Sequence, residues 1–414
     1  MDIGIIGGGA SGMMLAALLN KSNKVTIIER NHKLGKKLLL TGNGKCNFTS
    51  GDFDDLEDIY NNDFAIEIYK KHDFREMINF FNSIGVEEKI ETHKGHAYYY
   101  PRSNKATSVY YALFDKLVDN EVMIVYDTQV KDITLSGDKF NIITDGDTYS
   151  FDKLVIATGG KSYKNTGSDG NLYSIISKLG HKIIKPLPAL VGFRCDDKDI
   201  KSLKGVRIDA CVTIHVEGDD ELTFFESGEV QFTENYISGI PIMNLSRKVN
   251  RYINDGKNVS MRFDFCSDIP IDRFDKRLDV LVEKLRKRKN DISYREKDNF
   301  LSGFLPDEIS YVIMKRSSAG GRLVSDIDDG SLKRIAQNIL NFNISNISIG
   351  NFDTAQITIG GVSTDEIDRT TLESKIIKGL YFIGEVIDID GKCGGYNLQL
   401  DFSTAKAVSL SLDN

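Results

Sequence analysis

The sequence predicts an α/β protein: a discontinuous Rossmann-like nucleotide-binding domain built from both ends of the chain, with a β-barrel-like domain inserted and a helical annex inside the insert. Three observations carry this. Residues 1–30 read as strand, glycine turn, helix, strand. Residues 354–414 read as buried strand, glycine turn, helix. Between about Leu187 and Gly361 short strand-like runs dominate. The expected boundaries are 1–187 and 362–414 for the nucleotide domain and 188–361 for the insert, its annex at about 270–341.

At the N-terminus the apolar residues Ile3, Ile5 and Ile6 lead into Gly7-Gly8-Gly9-Ala10-Ser11-Gly12 and a helical pattern through Leu19. Gly7 permits the tight turn, Gly9 lets the backbone approach a pyrophosphate, and Gly12 lets the helix lie close on the sheet. The helix start at Ala10 and Ser11 offers unpaired N–H groups and a partial positive charge to phosphates. The next run, Val25-Thr26-Ile27-Ile28, ends in Glu29, placed to accept from ribose hydroxyls and to repel a 2′-phosphate, which disfavours NADP here. The plainer reading is a structural turn; the flanking strand and helix and the spaced acid favour a dinucleotide.

Arg30 to Leu40 follows, with Gly35-Lys36-Lys37, then Thr41-Gly42-Asn43-Gly44-Lys45-Cys46-Asn47, a loop whose backbone can press against a planar or phosphorylated ligand. Residues 64–84 have helical apolar spacing, His96–Arg102 reads as a strand ended by Pro101, and Ser103–Val118 as a helix. The aromatic run in that strand fits a pocket wall and fits core packing equally. Short strands are expected at Val122–Tyr126, Gln129–Leu135, Phe140–Thr144 and Thr148–Phe151. A buried strand from Leu154 then runs into Thr158-Gly159-Gly160.

Pro186 and Pro188 mark the exit into the insert, with strands at Val191–Cys195, Ala210–Val216, Leu222–Glu226, Glu229–Thr233 and Val259–Phe265, and a helix near Ile242–Asn250. Asp272–Asp298 and Asp307–Asn341 read as helical, and the basic run Lys284–Lys289 as a solvated helix face. The final stretch carries the strand Leu380–Ile383, Gly384-Glu385, Asp388, Asp390, and Gly394-Gly395-Tyr396-Asn397 before a last helix. There Leu398, Phe402, Ala405 and Val408 make one apolar face. A glycine pair before a helix lets a flat ring approach its N-terminus.

The length, 414 residues, suits two or three domains. The net charge of −7 gives no general attraction to nucleic acid or anionic membrane. No apolar run approaches the roughly 20 residues of a membrane span, and no signal-peptide pattern precedes the first strand. Five scattered cysteines form no CxxC pair, which suits a reducing cytoplasm. The six histidines show no metal-ligand spacing.

The motifs GGGASG (7–12), GKKLLLTGNGKCN (35–47), ATGGKSYKNTGSDG (157–170), GEVQFT…SGIP (228–241), ITIGGVS (357–363) and GLYFIGEVIDIDGKCGGYNLQ (379–399) together cover nearly the whole chain. In them it resembles bacterial flavoproteins of the aminoacetone oxidase-like and bile-acid dehydroxylation-pathway reductase-like kind, within the two-dinucleotide-binding superfamily. The resemblance implies FAD: pyrophosphate over Gly7, Gly9, Ala10, Ser11 and Gly12, adenosine ribose on Glu29 beside Arg30, and adenine under the backbone at Val130. It implies pyrophosphate or flavin contacts from Lys37, Thr41, Gly42, Gly44, Cys46 and Asn47, and close approach at Thr158, Gly159 and Gly160. Gly384, Glu385 and Asp388 fall near the ribityl chain, and Gly394, Gly395, Tyr396 and Asn397 near the flavin ring. Two positions depart from the family pattern: Lys45 stands where arginine is usual, and Tyr236 where glycine is common. A lysine is no substitute for a bidentate fork.

The function this implies is a cytoplasmic two-electron FAD oxidoreductase acting on a small organic molecule on the open flavin face, under the insert. It is either an NAD(P)H-linked reductase of an activated double bond or an oxygen-using amine oxidase. An RNA-modifying flavoprotein and a non-catalytic flavin sensor are the alternatives. With no second GxGxxG, a nicotinamide would bind only transiently. Glu234, Tyr396 and Tyr99 are the acid/base candidates, each with a structural role as the competing reading. Cys46 fits a packed thiol better than a redox one, and no metal is expected. Substrate, electron donor and oligomeric state are not legible.

Overall fold

The computed structural model describes residues 1–51, 55–93, 95–218, 222–269 and 273–413. Its chain forms two units, Met1–Pro188 with Phe352–Asn414, and Ala189–Asn351. Unit 1 begins with β1 (Asp2–Ile6), α1 (Ala10–Leu18) and β2 (Lys24–Ile28), then a 3-10 turn at Leu38–Gly44. After β3 (Thr49–Gly51) and α2 (Leu56–Ile59) come α3 (Asp63–Lys71) and α4 (Phe74–Ser83). Their N-caps satisfy free backbone donors: Asn62 Oδ1 accepts from Ala65 N at 3.0 Å and Asp73 Oδ1 from Arg75 N at 2.9 Å. β4 (Glu88–His93) and β5 (His96–Pro101) follow, then α5 (Ala106–Asp119), β6 (Met123–Val125), β7 (Val130–Ser136), β8 (Lys139–Thr144), β9 (Thr148–Phe151), β10 (Lys153–Ile156), α6 (Leu172–Lys178) and β11 (Ile183–Ala189).

Unit 2 contains β12 (Phe193–Cys195), α7 (Lys198–Ser202), β13 (Arg207–Val216), β14 (Thr223–Phe232), β15 (Tyr236–Ser238), α8 (Ile240–Asn254), β16 (Val259–Asp264), α9 (Phe274–Asp291), α10 (Asp307–Arg316), α11 (Asp329–Leu340), β17 (Phe342–Ser345) and β18 (Ile347–Ser348). The chain then completes unit 1 with β19 (Ile357–Val362), β20 (Leu380–Phe382) and α12 (Tyr396–Asp413).

The centre of unit 1 is a parallel sheet in the order β20-β10-β1-β2-β6. Ile3, Ile5, Ile27, Val155 and Phe382 have no exposed surface, as expected of a parallel sheet covered on both faces. α1, with no charged residue, is buried from Ser11 to Ala17 and packs on α12. The single apolar face expected of α12 is too narrow. Gln399, Ser403, Thr404 and Ser409 are buried as well, because that helix is enclosed on most sides. Their polar groups are satisfied: Gln399 Nε2 and Ser403 Oγ both donate to His72 O, at 3.0 and 2.6 Å. The expected return to the nucleotide domain at residue 362 falls inside the second segment of unit 1, because β19 pairs with β11.

Unit 2 is a sheet in the order β17-β16-β13-β14-β15-β12-β18, antiparallel throughout, with α8 against β14 and β13. β17 and β18 lie at opposite ends of that order yet are separated in sequence only by Asn346, at φ +59°. A flat sheet could not satisfy both facts; this one curls until its ends meet. Two expected strands, Leu222–Glu226 and Glu229–Thr233, are one, because Ser227 and Gly228 pair in register with Cys211 and Ala210 rather than turning. The helix expected over Asp307–Asn341 is broken after Arg316, where Ser318 (φ +49°) and Gly321 (φ +79°) take left-handed backbone. The helix expected from Asp272 runs over Phe274–Asp291; Asp272 lies outside the described residues. In its basic run, Arg288 donates to Phe300 O and Ser302 O and Lys289 to Ile327 O.

Candidate functional site

Because β20, β10 and β1 are parallel neighbours, the segments after their carboxyl ends gather at one end of the sheet. After β1, Gly7 has φ +103°, and a Cβ on it would stand 2.5 Å from Ala157 O; a Cβ on Gly12 would overlap Gly7 O. Gly9 differs: a Cβ there meets nothing within 4 Å, and Gly9 caps α1 with no side chain. The first N–H groups of α1 therefore lack a capping side chain.

Glu29 fixes this turn. Its Oε2 accepts from Gly8 N at 2.8 Å, and its Oε1 accepts from Asn31 N at 2.9 Å and Asn31 Nδ2 at 2.6 Å. Three of roughly four acceptor positions of the carboxylate are thus used. Asn31 Nδ2 also donates to Thr166 O (3.0 Å), while Arg30 Nη1 donates to Gly167 O (3.2 Å) and pairs with Asp169 at 2.6 Å. The 166–169 loop is held against the end of β2 in this way. Within it Ser168 Oγ is buried without a partner, 3.2 Å from a Cβ built on Gly159, and the buried Tyr173 hydroxyl also has none. Burial, then Glu385 and Asp388, hold Tyr173 protonated.

After β20, Glu385 is a junction. Its Oε2 pairs with Lys37 Nζ at 2.6 Å, and its Oε1 accepts from Thr358 N (2.6 Å) and Ser162 Oγ (3.1 Å); Lys37 Nζ also donates to Ser162 Oγ at 2.7 Å. Asp388 Oδ1 accepts from Gly360 N at 3.0 Å. The 35–47 loop thereby joins the ends of β10 and β20. In it Thr41 Oγ1 donates to Leu38 O, Gly42 and Gly44 take φ of +54° and +82°, and Cys46 is buried. Burial pushes the Cys46 thiol up to about 12, which leaves no thiolate at neutral pH. Asn47 Oδ1 is buried without a partner, 2.9 Å from a Cβ built on Gly395.

Gly394 and Gly395 (φ +132° and +89°) open α12. Ser50 Oγ donates to Gly394 O, and the rings of Tyr98 and Tyr396 flank Gly394, 3.1 and 2.8 Å from its would-be Cβ. Burial raises both phenols above their ordinary value. Asn397 is spent on the backbone: its Oδ1 accepts from Gly391 N and its Nδ2 donates to Gly391 O, both at 2.9 Å.

The expected residues from Gly7 to Asn47, Thr158 to Gly160 and Gly384 to Asn397 thus come together. Val130 starts β7, two residues beyond Thr128, whose N–H donates to Glu29 O and ties that segment to the end of β2. Glu234 belongs to unit 2, where it is exposed and paired with Lys204 at 2.9 Å. Tyr99 packs its ring on Phe74, centroids 5.8 Å apart. Sequence reasoning passed over Tyr98, Ser168, Tyr173 and Asp401; the signal for Asp401 was a lone charge in the otherwise uncharged opening of α12. Among the described residues no group of three His, Cys, Asp or Glu could hold a metal, and no helix is long and apolar enough to cross a membrane. The uncapped α1, the clear face over Gly9 and the orphaned Asn47, Ser168 and Tyr173 atoms fit FAD, which is anionic at its diphosphate and carries donors and acceptors along its length.

A family described as HI0933-like protein Rossmann domain matches residues 1–410. The 3-dehydro-bile acid delta(4,6)-reductase of Clostridium scindens is 33% identical over 415 residues, 97% of this chain and 96% of that protein. The ribosomal RNA dihydrouridine synthase of Escherichia coli is 26% identical over 419 residues, 99% of this chain and 98% of that protein. Among solved structures, 3-ketosteroid delta1-dehydrogenase from Sterolibacterium denitrificans in complex with 1,4-androstadiene-3,17-dione superposes with a TM-score of 0.53 at 11% identity, covering 100% of this chain and 99% of that one, a likeness of fold.

Proposed function

The chain belongs to the HI0933-like Rossmann-domain family and is an FAD-dependent oxidoreductase, and from that premise we propose that it saturates a carbon–carbon double bond conjugated to a carbonyl in a small polycyclic substrate. The observation that carries this is the 33% identity, over nearly the full length of both chains, to a reductase named for such a bond. The more distant relative fits the same chemistry, since a dihydrouridine synthase also saturates a double bond.

Bound FAD supplies the two-electron centre. In our reading the N–H groups of α1 and its dipole take the diphosphate between Gly9 and Ser11. Glu29 holds Gly8 in place and keeps one acceptor position for a ribose hydroxyl. Lys37, Glu385 and Ser162 would hold the ribityl side, the unpartnered Asn47 Oδ1 would accept a hydrogen bond from the cofactor, and the N-terminus of α12 would favour negative charge beside it. Tyr98 and Tyr396, kept protonated by burial, are the groups beside Gly394 able to deliver a proton to substrate carbon from the phenol oxygen.

A second reading, action on ribosomal RNA, rests on the 26% relatives and is disfavoured by the net charge of −7. The test reduces the FAD-loaded protein anaerobically with NADH or NADPH and then adds, separately, a 4,6-dien-3-one steroid, ribosomal RNA, and oxygen. Rapid flavin reoxidation by the dienone supports the proposal. Reoxidation by RNA alone favours the second reading. Bleaching of the oxidised flavin by an amine, with oxygen as sole acceptor, would make the protein an amine oxidase and overturn it.

A further inference from the structure

Asp401 lies in the second turn of α12, a helix that packs against α1. Its carboxyl and the Ser11 hydroxyl converge above Gly384: a Cβ built on Gly384 would overlap Asp401 Oδ1 and lie 2.7 Å from Ser11 Oγ. With φ +69°, Gly384 is a position that a side chain could not fill. Asp401 is half-buried, and among the described residues no group donates a hydrogen bond to its carboxyl, so only the more distant Lys37 offsets a negative charge on it. Ser11 belongs to the first turn of α1, the turn that receives the diphosphate in the reading above.

The charged groups that reach Asp401 are Glu385, from the turn after β20, and Lys37, from the loop after β2. They pair with each other at 2.6 Å and largely cancel. α1 and β3 bring no charge. α3 presents Asp63, Lys70 and Lys71 to solvent and pairs Glu67 with Arg369; α4 exposes Arg75 and pairs Glu76 with His72. Burial, then Glu385, with Lys37 opposing, push the Asp401 carboxyl up to about 7.

We propose that Asp401 makes cofactor binding proton-linked: FAD is taken up together with one proton from solvent, which resides on the Asp401 carboxyl while the diphosphate occupies the neighbouring α1 turn. An ionised carboxylate beside that turn would repel the diphosphate, and protonation removes the repulsion. The neutral acid then has an O–H to donate toward an anion or toward Ser11. The inference rests on FAD binding at α1 and goes beyond it, because a diphosphate site by itself has no reason to discriminate between pH 7 and pH 9.

The experiment titrates FAD-free protein with FAD between pH 6 and 9, using wild type and Asp401→Asn. It also measures binding heats at pH 8 in two buffers of different ionisation enthalpy. In the wild type, affinity should be flat below about pH 7 and fall by up to about tenfold per pH unit above it, with close to one proton absorbed per FAD at pH 8. Asp401→Asn should bind with a flat profile, absorb no proton, and exceed the wild-type affinity at pH 9 by tenfold or more. Wild-type binding that is tight yet independent of pH, or a slope that persists in Asp401→Asn, overturns the proposal and leaves the FAD site standing. Failure of the wild type to bind FAD at any pH overturns both. The proton count needs only the wild type, so a poorly folding variant does not remove the test.

Discussion

At the scale of single residues, two side chains differ in what they do for the protein itself. Glu29 serves the fold and, in our reading, the ribose together; charged-acceptor hydrogen bonds are worth about 1.5–3 kcal/mol each. Glu29→Ala should therefore weaken FAD at least about tenfold, since about 1.4 kcal/mol is a factor of ten, and it should also lower the melting temperature of the FAD-free protein, because Gly8 and Asn31 lose their acceptor. Asn47 gives the protein no return for burying Oδ1. Asn47→Ala should weaken FAD by a similar factor while leaving the FAD-free melting temperature unchanged or raised, because an unsatisfied buried acceptor costs about 1–3 kcal/mol. Equal loss of stability in both variants would show that Asn47 is structural. His181 is buried, with Nδ1 3.2 Å from Glu366, Nε2 2.8 Å from Ser374 Oγ and its ring edge-on to Phe382. Burial lowers its pKa, with Glu366 opposing. The folded state thus prefers neutral imidazole. The stability this contributes is complete above the unfolded value of about 6.5 and is lost as pH falls through the lower folded value. Asp401 has the opposite sign, so the melts belong in an Asp401→Asn background, where stability should drop between pH 7 and 5 and His181→Gln should flatten that drop.

At the scale of elements, what the sequence disclosed depended on how local the cause was. The glycine spacing before α1 is dictated by backbone sterics within six residues, and so was legible, as were the strand endings at Thr158 and Gly384. The Lys37–Glu385 pair spans 348 residues of sequence, and no period or spacing rule connects its members. Asp401 acquires its environment only when α12 packs on α1, and the orphaned Ser168 and Tyr173 only when the 166–169 loop docks on β2. Unit 2 was read in outline for the same reason: alternation reveals strands, but Ser227-Gly228 looks like a turn until β13 is placed beside it. The opening of α12 offers a test at this scale. Both residues of Gly394-Gly395 have left-handed backbone, and a Cβ on Gly395 would press on Asn47 and Thr49, 2.9–3.0 Å away. Gly395→Val should abolish FAD retention on purification while far-UV circular dichroism remains near wild type; a yellow, fully loaded variant would show that this turn only joins a strand to a helix.

At the scale of the whole molecule, each unit has its own apolar core, one around the parallel sheet and one inside the curled sheet. A ligand held only by unit 1 stabilises that unit by RT ln(1 + [L]/Kd), about 2.7 kcal/mol at a hundredfold excess over Kd. Calorimetry with and without FAD should therefore show one transition that moves and one that does not. A single transition moving as a whole would mean that the two cores melt together. The curl of the unit 2 sheet also fixes where that unit begins and ends. β12 and β18, its first and last strands, are hydrogen-bonded neighbours, with Arg194 opposite Ser348 and Cys195 opposite Ile347. To the polypeptide that carries it, the whole of Ala189–Asn351 is topologically a loop whose two stems already touch. Such a cassette can be lengthened, exchanged or removed without rerouting the host chain, whose parallel sheet and glycine turns all lie outside it.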